Sequence, residues 1–271
     1  MDWFFKAVLT TGAVLLVMTV ARRCGPRLAG AMAALPTVTA PALGWLGHDR
    51  GVEMAIAASI ASVSVCAMLA AFAFGYVVAA RRAGPIVALA CGLAAAASLA
   101  LPAMAVGSDL GRALLLAFVC CAAVCAALSA GPAAGCDASA APMPCSSRDT
   151  TFVAATTGLL AALVATFGPA FGGFATGLLA SLPLISGGIA VTAHVAGGRR
   201  AATDFLRGYV WGLFGKMVFG TVFALLARPL GIAPALLLAC GGAALVATPW
   251  RPSASWSTWT GSRAVVDVAP R

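Results

Sequence analysis

Apolar residues run along this chain in nine long blocks, at roughly 3–21, 28–47, 53–80, 85–106, 111–130, 151–170, 173–195, 204–227 and 231–248. Each is close to the 20 or so residues that a helix needs to cross about 30 Å of hydrocarbon. Short polar turns separate them, such as Arg22-Arg23, His48-Asp49-Arg50 and Arg81-Arg82. One longer interruption, 131–150, is rich in Pro, Ser, Ala and Gly and reads as a flexible linker. The pattern predicts nine transmembrane helices. The first block begins almost at Met1 and runs into Arg22-Arg23 without a small-residue cleavage site, so a retained span is expected there and not a signal peptide.

The blocks are not independent. A constant shift of 147 positions carries Gly25 onto Gly172, Gly30 onto Gly177, Leu35-Pro36 onto Leu182-Pro183, and Thr39 onto Ser186. It then carries Gly51 onto Gly198, Phe72 onto Phe219, Arg81 onto Arg228, Gly84 onto Gly231 and Pro102 onto Pro249. Collinear matches of this kind mark an internal duplication. Residues 1–106 form the first copy (spans 1 to 4) and 107–150 a connector span with the linker. Residues 151–249 form the second copy (spans 6 to 9), and 250–271 a tail. An odd number of crossings separates equivalent spans, so the copies are expected upside down relative to each other. Inverted repeats of this kind build many secondary transporters, where rocking of one copy against the other exposes a central site to each side in turn.

Composition agrees with the pattern: 62% of residues are hydrophobic, 9% are charged and the mean hydropathy is +1.00. A soluble domain would carry about a quarter charged residues. The net charge of +9 follows membrane topology and calls for no nucleic-acid partner. With the N-terminus outside, the inner face receives Arg22, Arg23, Arg27, Arg81, Arg82, Arg148, Arg199, Arg200, Arg207, Arg251, Arg263 and Arg271. The outer face receives only Lys6, Arg50, Arg112 and Arg228. Cytoplasmic loops hold the excess of Lys and Arg, so this orientation is expected in a bacterial inner membrane. The tail, with Trp250, Trp256 and Trp259, has the composition of an interfacial anchor on the inner surface.

Candidate chemistry concentrates where polarity interrupts a span. Pro36 and Pro183 sit near the middle of spans 2 and 7, where proline removes an amide donor and clashes with the carbonyl four residues back. Both spans should be broken, and the freed backbone groups then need hydroxyls, neighbouring helices or a wet cavity. Thr37 and Thr39 follow the first break, and Ser186 and Gly187 follow the second. A solute site is expected between them; a kink between packed helices is the other reading. Lys216 lies deep in span 8, more than two turns from either interface. Intramembrane charge is costly and marks function by default. Lys216 suits an anionic solute group or a proton carrier; a lysine reaching a helix-end carbonyl is the alternative.

Asp204 and Arg207 stand three apart and are expected to pair near the inner surface. His48 and His194, the two histidines, follow the broken spans at nearly equivalent places, one at each mouth, with Glu53 beside His48. Titration near neutral pH suits them to gating or proton coupling; ordinary interfacial caps are the other reading. Cys120, Cys121 and Cys125 invite a soft-metal permease, yet cysteine also packs as a small apolar residue. No CxxC occurs, and no metal or other cofactor is expected. HExxH and Walker motifs are absent, and intramembrane carboxylates are too few for acid–base catalysis, so an enzyme is not expected.

The stretch from Ala29 to Ala55, with Pro36, Thr37 and the turn Arg50, Gly51, Val52, Glu53, resembles the small four-helix bacterial inner-membrane proteins of the GlpM type. The second copy departs from that pattern, with Pro183-Leu184 and Gly198-Arg199-Arg200. The resemblance implies two fused four-helix units and a loose link to envelope polysaccharide production. The expectation from the whole sequence is an all-α polytopic membrane protein that acts as a gradient-driven secondary transporter of a small, anionic organic solute across the bacterial inner membrane. A non-transporting scaffold of an envelope or lipid-processing complex is the alternative. Its expected partners are the lipid bilayer, a small-molecule solute and a second copy of the chain as a homodimer.

Overall fold

The computed structural model describes residues 26–36, 39–130 and 184–247, together with Val8 and Gly12. Every regular element among them is a helix: α1 Pro26–Ala34, α2 Thr39–Arg50, α3 Val52–Ala79, α4 Pro85–Ser98, α5 Ala100–Val106, α6 Leu110–Ser129, α7 Leu184–Leu230 and α8 Ile232–Ala247. Five stretches are long and apolar enough to cross a membrane: Arg27–Arg50, Val52–Ala79, Pro85–Val106, Leu110–Ser129 and Ser186–Leu230. The chain is a helical membrane protein. Predicted span 1 apart from Val8 and Gly12, span 6, the first half of span 7 with Pro183, the linker, Thr37 and the tail lie outside the described residues.

Local chemistry sets the helix boundaries. Span 2 is two helices: Leu35 N closes a tight turn on Met32 O at 3.1 Å, and Ala40 N restarts the ladder on Pro36 O at 2.8 Å. Proline at position 36 has no N–H to carry the helix through. The 47-residue α7 is also two helices, because Gly198 interrupts it with φ 70° and ψ −175°. Only glycine enters that region without strain. It thus has a first arm (184–197) and a second arm (199–230). Gly51, with φ 92° and ψ 164°, makes the same kind of corner between α2 and α3. Pro85 opens α4, and the Asp109 side chain caps α6 by accepting from Arg112 N at 3.0 Å.

Packing is organised around α3, whose residues from Ala55 to Ala73 are almost all buried. The second arm of α7 crosses it in the opposite direction, and Ser59 Oγ donates to Gly220 O at 2.9 Å. Helices α4, α5 and α6 pack on α3, while α8 lies on the second arm of α7 and on α2. Among the described residues, α1 approaches that second arm at backbone distance. A side chain added to Gly30 would meet the Phe205 carbonyl, and one added to Gly208 would meet the Arg27 carbonyl. Lipid tails are as apolar as leucine, so such helices associate by close packing of small residues. Leu101, Leu237 and Leu245, all at least 76% exposed, face outward as a lipid-contacting surface would.

Charge separates to two ends. One end gathers Arg27, Arg81, Arg82, Arg199, Arg200, Asp204 and Arg207, with Arg199 Nη1 donating to Arg81 O at 3.3 Å. The other gathers His48, Asp49, Arg50, Glu53, Asp109, Arg112 and Arg228, with Arg228 bridging to Glu53 at 2.6 Å. Six arginines against one aspartate leave the first end strongly positive, whereas three arginines and three carboxylates balance at the second. Loops that the arginine count assigns to one side thus meet on one side. Between the ends, Lys216 is the one charged side chain among the described residues.

Candidate functional site

The site is built on the second arm of α7, where Gly208, Gly212, Lys216 and Gly220 occupy successive turns. Gly208 lies against the Arg27 backbone, Gly212 against Ala31 and Ala34, and Gly220 against Ser59 and Val63 of α3. Helix α1 therefore runs parallel to this arm, stepping four residues for four: Arg27 to Gly208, then Ala31 to Gly212. The next step puts Leu35 level with Lys216. The break at Leu35 and Pro36, where the helix predicted for span 2 gives way, is at the depth of the buried lysine. On the far side of Lys216 stands α3, with Cys66 nearby.

Lys216 is 6% exposed, and no hydrogen bond or ion pair engages it among the described residues. An ammonium at the centre of a bilayer carries a penalty of roughly 2.5–3.5 kcal/mol on insertion scales. The surroundings offer partial relief. Helix α1 ends at Ala34, so its last carbonyls are the negative end of a helix dipole, while α2 begins at Thr39 with its positive end. A broken helix thus presents acceptors for the lysine and donors for an anion at one depth.

Buried hydroxyls and thiols extend the polar zone. Thr39 is 3% exposed and Ser186 4%. Ser64 Oγ donates to Ile60 O at 3.4 Å and Cys66 Sγ to Ser62 O at 3.5 Å. Cys121 Sγ reaches Cys66 O at 3.6 Å. Ser186 Oγ is buried beside the Tyr209 hydroxyl but lies off hydrogen-bonding geometry, so it has no partner among the described residues. Cys66 lies near both Tyr209 and Lys216. A chain of polar groups, Ser186, Tyr209, Cys66 and Lys216, therefore crosses the middle of the bundle between the two arms of α7 and α3. A Cβ at Gly187 would be 3.0 Å from Leu89 Cδ1 of α4, so the first arm packs tightly on α4 there.

The other sequence-predicted residues fall at the ends. His48 pairs with its neighbour Asp49 at 3.1 Å and is exposed, while Glu53 is held by Arg228; His48 and Glu53 each have another partner. Asp204 and Arg207 approach at 3.8 Å, but Arg207 is held more closely by the carbonyl of Leu128, at 3.1 Å from Nε and 2.7 Å from Nη2. There it caps the C-terminal end of α6. His194 lies 3.2 Å from the Tyr76 hydroxyl, which also bonds Ala190 O at 3.3 Å. A hydroxyl has one proton, so satisfying both contacts requires it to donate to the carbonyl and accept from Nδ1–H of His194.

Cys66, Tyr76 and Tyr209 were not singled out by the sequence reading. The signal was present: both tyrosines of the chain lie inside apolar spans, and Ser59, Ser62, Ser64 and Cys66 mark a polar run in one of them. Cys120, Cys121 and Cys125 are free thiols, and no three His, Cys, Asp or Glu side chains converge as a metal site among the described residues. Comparison with protein-family models, with curated proteins and with solved structures finds no match.

Proposed function

We propose that this chain is a secondary transporter of a small, anionic organic solute, built as two inverted four-helix repeats around a connector and inserted in a bacterial inner membrane with its positive end in the cytoplasm. The observation that carries the reading is Lys216: a lysine buried without a hydrogen-bond or ion-pair partner among the described residues, level with the interruption of a helix. Several features support the repeats. Gly51 and Gly198, equivalent under the 147 shift, make corners with φ 92° and 70° and nearly extended ψ. Gly84 and Gly231 each precede a helix, α4 at Pro85 and α8 at Ile232. Helix α3 and its counterpart, the second arm of α7, run in opposite directions, and α2 and the first arm of α7 finish at opposite ends. Their packing is reciprocal, α2 on α8 and the first arm of α7 on α4, as a two-fold relation requires.

In this reading the anion is received by Lys216 and by the N-terminal end of α2, with Thr39, Ser186 and Tyr209 fixing its orientation. Pro36 and Gly187 shape the interrupted backbone around it. Glu53 with Arg228 closes the outer end and Tyr76 with His194 the inner end; His48, Asp204 and Arg207 flank these closures. Because α1 is held on the second arm of α7, the moving bodies mix segments of both repeats, and the two sequence halves do not rock as units.

The test is uptake of labelled small carboxylates, inorganic phosphate and sulfate by proteoliposomes carrying the full chain. The expected result is flux of at least one anion that Lys216→Ala abolishes and Lys216→Arg partly retains, with all variants inserted equally. Absence of flux for every anion would favour the scaffold reading. Normal flux in Lys216→Ala would move the site elsewhere.

A further inference from the structure

The positive end of the bundle is assembled from two separate corners of the chain. Arg81 and Arg82 follow the last turn of α3, and Arg199 and Arg200 follow the corner at Gly198. All four are exposed. The Arg199 guanidinium reaches across to Arg81 O at 3.3 Å, so the two corners are in contact and four guanidinium-bearing residues crowd one place. Arg81, Arg82 and Arg199 form no ion pair among the described residues. The nearby carboxylate, Asp204, is directed to Arg207. Convergence of like charges is unfavourable without a counter-charge, and topology alone would be served as well by arginines kept apart.

The surface next to these corners is apolar and open. Val78 on α3, Ile86 and Val87 at the start of α4, and Val195 on the first arm of α7 are 43%, 68%, 54% and 73% exposed. A cluster of guanidinium groups at the rim of a hydrocarbon-facing wall has the complementarity of one molecule, a phosphodiester headgroup with acyl chains attached. Planar guanidinium forks match phosphate oxygens two at a time, and basic pockets between transmembrane helices on the cytoplasmic side are suited to acidic lipids. We infer that the junction of the Arg81-Arg82 and Arg199-Arg200 corners is a binding site for an anionic phospholipid, which ties the α3 end to the first arm of α7. The inference requires membrane residence but not transport.

Full-length protein in mild detergent is titrated with phosphatidylglycerol or phosphatidylcholine, and retained lipid is counted by native mass spectrometry. Wild type is expected to retain phosphatidylglycerol selectively. A juxtamembrane Arg contributes a factor of about five in affinity for acidic lipid, so Arg81→Gln with Arg82→Gln should weaken retention about 25-fold. Arg199→Gln with Arg200→Gln should do the same, while Arg50→Gln with Arg112→Gln, at the opposite end, leaves it unchanged. Equal retention of the two lipids by wild type would overturn the assignment without any variant being needed. So would loss of selectivity only in the Arg50 and Arg112 pair. Displacement of phosphatidylglycerol by millimolar inorganic phosphate would reassign the site to a free anion and remove the lipid.

Discussion

The crossing of α1 with the second arm of α7 gives the sharpest stability prediction, because one substitution, glycine to alanine, should have opposite signs at two positions. At Gly208 the new methyl would meet the Arg27 backbone, which cannot rotate away. At Gly241, within α8, nothing lies within 4 Å. Alanine is favoured over glycine inside a helix by roughly 0.5–1 kcal/mol, and that gain is available at both sites. Overpacking costs roughly 1–3 kcal/mol, with backbone partners placing Gly208 at the upper end. The net expectation is a loss of about 1–2 kcal/mol for Gly208→Ala and a gain of about 0.5–1 kcal/mol for Gly241→Ala. For a chain of this size that is a melting midpoint lower by about 3–6 °C in the first case and higher by about 1–3 °C in the second. Thermal unfolding in detergent, followed by size-exclusion fluorescence, reads both. A Gly208→Ala protein that melts at or above wild type would refute the close crossing. The register that sets the break beside Lys216 would go with it.

Two further expectations concern the buried polar groups. Pro36→Ala should lower anion flux in proteoliposomes, because restoring the amide lets α1 run on into α2 and withdraws both half-helix ends; a variant with unchanged flux means the break does not line the path. Tyr76→Phe leaves the Ala190 carbonyl without its side-chain donor, at a cost of about 1 kcal/mol. A lowered melting midpoint together with faster solvent exchange at His194 is expected, and neither would change if the hydroxyl contacts were incidental.

Much of the architecture was legible in the residues themselves. Hydrocarbon imposes a length and forbids unpaired backbone polarity, so apolar blocks at 53–80, 85–106 and 111–130 announced α3, the α4–α5 pair and α6. Pro36 announced its own break, since the missing N–H is a property of that residue alone. The arginines sorted themselves into sides that the contacts between Arg199 and Arg81 reproduce. Lys216 was conspicuous because a charge in an apolar block needs a reason.

What tertiary structure decided was which groups meet. Asp204 and Arg207 stand at pairing distance in sequence and do pair, at 3.8 Å, but the closer hold of Leu128 O on Arg207 exists only because packing brings the bare carbonyls at the end of α6 within reach. Glu53 lies close to His48 along the chain, but its carboxylate is claimed by Arg228, which is 175 positions away. The level of Lys216 relative to the break depends on Gly208 and Gly212 letting α1 approach at backbone distance, and the polar chain through Cys66 and Tyr209 depends on α3 packing against both arms of α7. Spans are fixed by local interaction with lipid, which every stretch of sequence meets by itself. The site is fixed by contacts between distant stretches, whose register and depth arise only when the helices are packed together.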